Sequence, residues 1–265
     1  MTQWHDRGYT LPPFHLLPLP QLEVEPLSPE DMFRTPAVNG IFEDPEDRSL
    51  LRLLPHSIHK FVCELNRAAL DQRGFECDKA LPLRAVLDIV LPPRRVYLDL
   101  GTKKFDSSVG WFQREYPVEF SQIYSWEMVP DLFVKPSVNF AAAEMNLTLG
   151  EAERWLNSIT HFTAKVTAQA DQSESDVVHF LQTHVRPEDF VVMKMDIEGE
   201  EWNIIPRLEA TGAMHLIDEF FVEVHFHHPM MQPHSWGKFS HTLEETTEMV
   251  QRLRSREDLF FHYWP

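Results

Sequence analysis

The stretch FVVMKMDIEGEEW, Phe190 to Trp202, runs from apolar residues straight into a burst of like charge, and its reading decides the fold. The first six residues are apolar apart from Lys194, which predicts a buried strand. Four carboxylates then fall within six residues: Asp196, Glu198, Glu200 and Glu201. One explanation is local. Asp196 would be the N-cap of the next helix and the glutamates a solvated first turn facing the positive end of its dipole. The other is chemical: Asp196 stands at the carboxyl end of a strand, where it or Glu198 belongs to an active site, while Glu200 and Glu201 turn outward along the helix. Both readings make the stretch a strand passing through a turn into a helix.

The same alternation extends in both directions. RRVYLDLG (94–101) predicts a strand, SSVGWFQREY (107–116) a helix and EFSQIYSWE (119–127) a second strand. ITHFTAKVTA (159–168) predicts a strand, and SDVVHFLQTHV (175–185) a helix with Ser175 or Asp176 near its cap. EEWNIIPRLEATGAM (200–214) follows as a helix ending near Gly212, and IDEFFVEVHF (217–226) as the next strand. TLEETTEMVQRLRSR (242–256) places acidic residues first and basic residues last, as a helix dipole favours. Strands alternating with helices imply an α/β fold with a mostly parallel sheet and helices on both faces.

Upstream, residues 47–74 carry apolar positions at helical spacing and end on Gly74, a C-cap signal; Pro55 starts or kinks that helix. Residues 1–46 are proline-rich and read as an extended arm packed on the domain at 47–265. The first residues do not resemble a signal peptide, and the compartment is left open between cytoplasm and secretory lumen.

With 265 residues, 43% of them hydrophobic, the chain can bury one large core. Its formal charge is -17, from 24 Lys and Arg against 41 Asp and Glu, which repels a phosphate backbone. Nucleic acid is therefore not an expected partner. Nor is a membrane span, since no apolar run reaches the roughly 20 residues a bilayer requires. Cys63 and Cys77 allow at most one disulfide and provide no metal framework. The expected partner is a small-molecule or glycan acceptor; oligomeric state is not legible.

In a parallel sheet, ligands bind beyond the carboxyl ends of the strands. At those ends stand Asp99 and Gly101, Glu127, Asp196, and Glu223 with His225. Gly101 tolerates unusual φ and lets a ligand approach the backbone, and Thr102 through Ser108 continue that turn. Glu127 follows Asp99 by about 28 residues, where an acid can accept both hydroxyls of a ribose. Such a charge-assisted hydrogen bond contributes roughly 1.5–3 kcal/mol. GTKKFDSS has one glycine where the pyrophosphate fingerprint needs three. A nucleoside without phosphates fits better, and S-adenosylmethionine is such a nucleoside.

VYLDLGTKKFDSSVGWF, IYSWEMVP and DFVVMKMDIEGEEWNIIPRL, with LIDEFFVEVHFHH after it, resemble the corresponding blocks of FkbM-type S-adenosylmethionine-dependent methyltransferases, particularly their eukaryotic branch. The likeness spans about residues 94 to 230. It implies a Rossmann-like, seven-stranded class I methyltransferase sheet and O-methylation of a sugar or natural-product hydroxyl. It also implies that Asp99, Gly101 and Thr102 cradle the methionine end of the cofactor, with Lys103, Ser107 and Ser108 in the same turn. Glu127 would hold the ribose and Met128 pack on the base. Lys103 and Phe105 depart from the Asn and Gly common in that turn, and Met128 from a proline.

Period-2 alternation in EVHFHH puts Glu223, His225 and His227 on one strand face. His225 or Asp196 is the candidate base for an acceptor hydroxyl, with Glu223 orienting it or accepting directly. Trp236 and its neighbouring histidines are candidates to contact a sugar. This first reading predicts no metal, and it leaves open a divalent ion that assists methyl transfer by clamping a diol. A second reading makes Asp196, Glu223, His225 and His227 a divalent-metal set in a hydrolase, His-X-His being a common zinc spacing; HHPMMQPHSWGKF lacks the glutamate that a cupin-like site needs. A third is a non-catalytic binding module on the same fold, which the presence of Glu127 argues against.

Overall fold

The computed structural model describes residues 91–116, 118–227, 236–256 and 258–264. The chain divides into two compact units, Met1–Pro93 and Arg94–Pro265, and the elements below belong to the second. The arm at 1–46, the helix at 47–74 and both cysteines lie outside the described residues.

The order is β1 (Arg95–Leu100), α1 (Val109–Glu115), β2 (Gln122–Trp126), α2 (Val138–Glu144), α3 (Leu149–Asn157) and β3 (Ile159–Phe162). Then follow α4 (Val177–His184), β4 (Phe190–Met195), α5 (Glu201–Ala210), β5 (Glu219–Val222), α6 (Leu243–Arg254) and β6 (Phe260–Tyr263). The strands form one sheet in the order β3-β2-β1-β4-β5-β6, every pairing parallel. Among the described residues the sheet has six strands rather than the expected seven.

β4 is buried along its whole length, as a central parallel strand requires. Aromatic rings from the flanking helices cover the sheet. Phe112 of α1 lies 4.3 Å from Tyr97 and 5.3 Å from Phe221, while Phe180 of α4 lies 4.7 Å from Trp126 and 4.9 Å from Tyr124. α4 is capped by Asp176, whose side chain accepts from the His179 N–H. α3 and α6 each begin with a capping box, Thr148 with Glu151 and Thr242 with Glu245.

The chain reverses its direction of strand addition between β1 and β4, so their carboxyl ends splay apart at the topological switch point. Gly101 sits there with φ +82°. A Cβ would come within 1.8 Å of the Asp196 carbonyl oxygen, so glycine is required for both backbone shape and space. Two expectations are corrected here. The α5 N-cap is Glu200, so Asp196 belongs to the strand end and not to the helix cap. β5 stops at Val222 because its neighbours end too: the Glu223 N–H donates to the Met195 carbonyl and the Trp264 N–H to that of Val222. Glu223 to His227 therefore continue as irregular backbone rather than as strand.

Candidate functional site

The turn after β1 is tied to the end of β2. The N–H groups of Gly101 and Thr102 both donate to the Trp126 carbonyl, at 3.0 and 2.9 Å. Glu127, 8% exposed, accepts from the Lys103 N–H at 2.9 Å with Oε2 and from the Val129 N–H at 2.8 Å with Oε1. One carboxylate thus holds two turns in register. Met128 beside it is exposed, as are Lys103 and Ser107, whereas Thr102 and Ser108 are buried. Phe105, in place of a small residue, packs inward at 5.7 Å from Phe133 and 5.5 Å from Trp155.

Asp99 is completely buried. It accepts from the Ser108 hydroxyl, and its other oxygen lies 3.7 Å from Lys194 Nζ. Burial raises its pKa against the opposing pull of Lys194 and Ser108. Asp99 therefore works from beneath the turn. Lys194, the charged residue inside the apolar strand, reaches over to the Gly101 carbonyl at 2.8 Å and to Asp196 Oδ2 at 3.3 Å. The sequence reading gave it no role. The only signal was a lysine in a run whose other members are all apolar.

Asp196, Glu223 and His225 come together beyond β4 and β5. His225 Nε2 lies 3.8 Å from Asp196 Oδ1 and 3.9 Å from Glu223 Oε1. Burial and the adjacent Asp196 carboxylate push Glu223 up to about 8. Burial alone would lower His225, but hydrogen bonding to Glu201 and the fields of Glu201, Glu223 and Asp196 outweigh it, and the net direction is upward. Asp99, Lys194, Asp196, His225 and Glu223 follow one another as neighbours, each within 3.9 Å of the next, with a hydrogen bond only between Lys194 and Asp196. Asp99, Asp196, Glu223 and His225, predicted at three separate strand ends, meet at one place, while Glu127 is linked to the turn after β1.

Glu201 reverses its expected orientation. It is fully buried, and Oε1 accepts from the His225 backbone N–H at 2.6 Å and faces Nδ1 at 3.0 Å, while Oε2 takes the Gly199 N–H at 2.9 Å. Glu200 does turn outward, pairing with Lys165 at 3.2 Å, and Glu198 pairs with Lys238 at 3.3 Å on the exposed side. His227 leaves the cluster: it is exposed, with Nδ1 3.1 Å from the Gly237 carbonyl. Trp236 is buried 5.1 Å from His225 and 5.4 Å from Phe226, so its ring closes the wall of the cluster. Trp202 Nε1 donates to the His225 carbonyl at 2.6 Å and fixes that segment from the helix side.

A family model described as "Methyltransferase FkbM domain" matches residues 122–260, from the start of β2 to the start of β6. No curated protein and no solved structure matches the chain. Among the described residues, no helix is long and apolar enough to cross a membrane.

Proposed function

The chain belongs to the FkbM methyltransferase family, and we propose that it methylates a hydroxyl of a sugar or natural-product acceptor with S-adenosylmethionine as donor. The observation that carries this reading is the convergence at the switch point: the β1 turn, Glu127 and the Asp196, Glu223 and His225 group share one strand-end edge. The donor set fits the cofactor. It consists of carboxylates and backbone groups, which suit a cationic sulfonium and a ribose diol, and the single-glycine turn offers no pyrophosphate seat. When bound, this cofactor supplies an activated methyl on a positive sulfur, which becomes a neutral thioether once the acceptor oxygen holds the methyl.

Each residue then has a task in the proposal. Gly101 and Thr102 let the methionine end approach the backbone, with Asp99 and Ser108 bracing that turn from below. Lys103 and Ser107 line its outer side. Glu127 accepts from the ribose hydroxyls, and the exposed Met128 side chain covers one face of the adenine. Asp196, Glu223 and His225 receive the acceptor hydroxyl, and its proton departs beside them. Alignment of that oxygen contributes much of the acceleration, since oriented pairs reach effective molarities of about 10⁵ M or more.

Calorimetric titration with S-adenosylmethionine tests the cofactor assignment. Wild type should bind it, and Glu127→Ala should weaken binding by roughly 1.5–3 kcal/mol, about ten- to a hundredfold. Absence of binding to the wild-type chain, or equal affinity in the variant, would remove the ribose assignment.

A further inference from the structure

Proton handling by itself leaves the spacing around His225 unexplained. The ring is 2% exposed and cannot turn, because Glu201 grips both Nδ1 and the backbone N–H of the same residue. With Nδ1–H donating to that carboxylate, Nε2 is directed at Asp196 Oδ1 and Glu223 Oε1, at 3.8 and 3.9 Å. Neither distance is a hydrogen bond. A ring nitrogen of this buried residue thus lies near two carboxylate oxygens and is bonded to neither. Two ligands that each lie about 2.1 Å from one ion stand roughly 3–4 Å apart, which is the separation seen here. One ligand atom from each of the three residues falls within 4.8 Å of the others.

The surroundings agree with this arrangement. Asp196 divides its oxygens: Oδ2 is engaged by Lys194, leaving Oδ1 for the cluster. Lys194 itself is drawn away toward the Gly101 carbonyl. Asp99 and Asp196 flank that ammonium while Glu201 and Glu223 flank His225, so one lysine is set against four carboxyl groups, an arrangement that favours further positive charge. A carboxylate on the far nitrogen of a histidine is also the usual device that fixes the tautomer and orientation of a metal-binding imidazole.

We propose that Asp196 Oδ1, Glu223 Oε1 and His225 Nε2 bind one divalent cation, with Glu201 as the positioning residue that sets the ring. His227, in the four-residue set suggested by sequence, is not a ligand. Two carboxylate oxygens and an imidazole suit a first-row ion such as Mn²⁺ or Fe²⁺, and its binding displaces any proton on Nε2. Open positions on the ion take the acceptor hydroxyl, a role that rests on the methyl-transfer reading. The coordinated O–H releases its proton to solvent water, and the alkoxide then takes the methyl.

The test is titration of the full chain with MnCl₂, following loss of the free-ion electron paramagnetic resonance signal. One Mn²⁺ per chain is expected, removable by chelator. Glu223→Gln and His225→Gln should each weaken it at least about tenfold, and Glu201→Gln by about 10–100-fold. Glu198→Gln, an exposed carboxylate two residues beyond Asp196, should leave it unchanged. Where His225→Gln lacks the wild-type circular dichroism spectrum, the half-buried Glu223→Gln decides. Absence of stoichiometric binding, or binding that survives Glu223→Gln, overturns the site. S-adenosylmethionine is titrated in parallel. Cofactor binding without Mn²⁺ would sink the cation site alone, and Mn²⁺ without cofactor would sink the methyl-transfer reading alone.

Discussion

Both edges of the sheet bury charge, but they treat it in opposite ways. At the amino edge each anion meets complementary groups. Asp189, just before β4, accepts from the Arg94 guanidinium and from the Arg186 N–H at 2.7 Å. Asp218, just before β5, takes the Val191 N–H at 2.7 Å, and Glu219 accepts from the Tyr116 hydroxyl and contacts His262 Nε2 at 2.6 Å. At the carboxyl edge Asp196 and Glu223 lie side by side, and Lys194 is shared between Asp99 and Asp196. Paired anions fasten strands; crowded carboxyl groups resist ionising together, and Glu223 holds its proton up to about pH 8. The second condition is the one expected of a site that awaits a positively charged or proton-bearing ligand.

The largest effect should come from the crowded edge and fall on activity alone. Glu223→Gln removes an ionisation that burial and Asp196 oppose, so above about pH 8 its melting temperature should equal or exceed that of wild type, while methyl transfer falls by about 10² or more. A matching loss of stability would erase the contrast between the edges. Glu219→Ala should behave in reverse, costing about 3 kcal/mol in urea unfolding because it strands buried partners. The folded fraction should keep its affinity for S-adenosylmethionine.

Asp176 offers an intermediate case, buried and held by Arg207 through two contacts of 2.6 and 3.0 Å. Burial opposes its ionisation, but Arg207 and the His179 N–H outweigh it and hold the pKa below the ordinary carboxylate range. A depressed folded pKa contributes stability that is present above the unfolded value of about 3.9 and is lost as pH falls through the folded value. Asp176→Asn should therefore cost about 2 kcal/mol near pH 7, and the gap to wild type should close below about pH 4. The smallest effect belongs to Lys238→Ala, which breaks an exposed pair with Glu198; less than about 1 kcal/mol is expected in the same unfolding measurement. A larger loss would place that pair with the paired edge instead of the solvent.

Much of this was legible in the chain itself. Apolar periodicity located β1, β2, β4, α1, α4, α5 and α6, and the rule of strand ends selected Asp99, Gly101, Glu127, Asp196, Glu223 and His225, because both depend on patterns a few residues long. α3 carried a readable sign in Thr148 and Glu151, the two ends of its capping box, which the sequence reading passed over. α2 is short and exposes Phe140, and the four residues of β6 are too few for a period. ITHFTAKVTA became strand only as far as Phe162, where its pairing with Trp126 ends.

Glu201 and EVHF mark the limit of local reading. Alternation alone made EVHF a strand, but a strand persists only beside a partner, and both neighbours of β5 run out at its end. Position in a first helical turn made Glu201 a surface residue, but the backbone N–H of His225, 24 residues later, needs an acceptor at that point. The sequence by itself determined the alternating fold, the excess of acid over base and the strand ends where polar groups collect. Tertiary structure decided which anions are paired and which are crowded, since partners far apart along the chain meet only once the sheet is assembled.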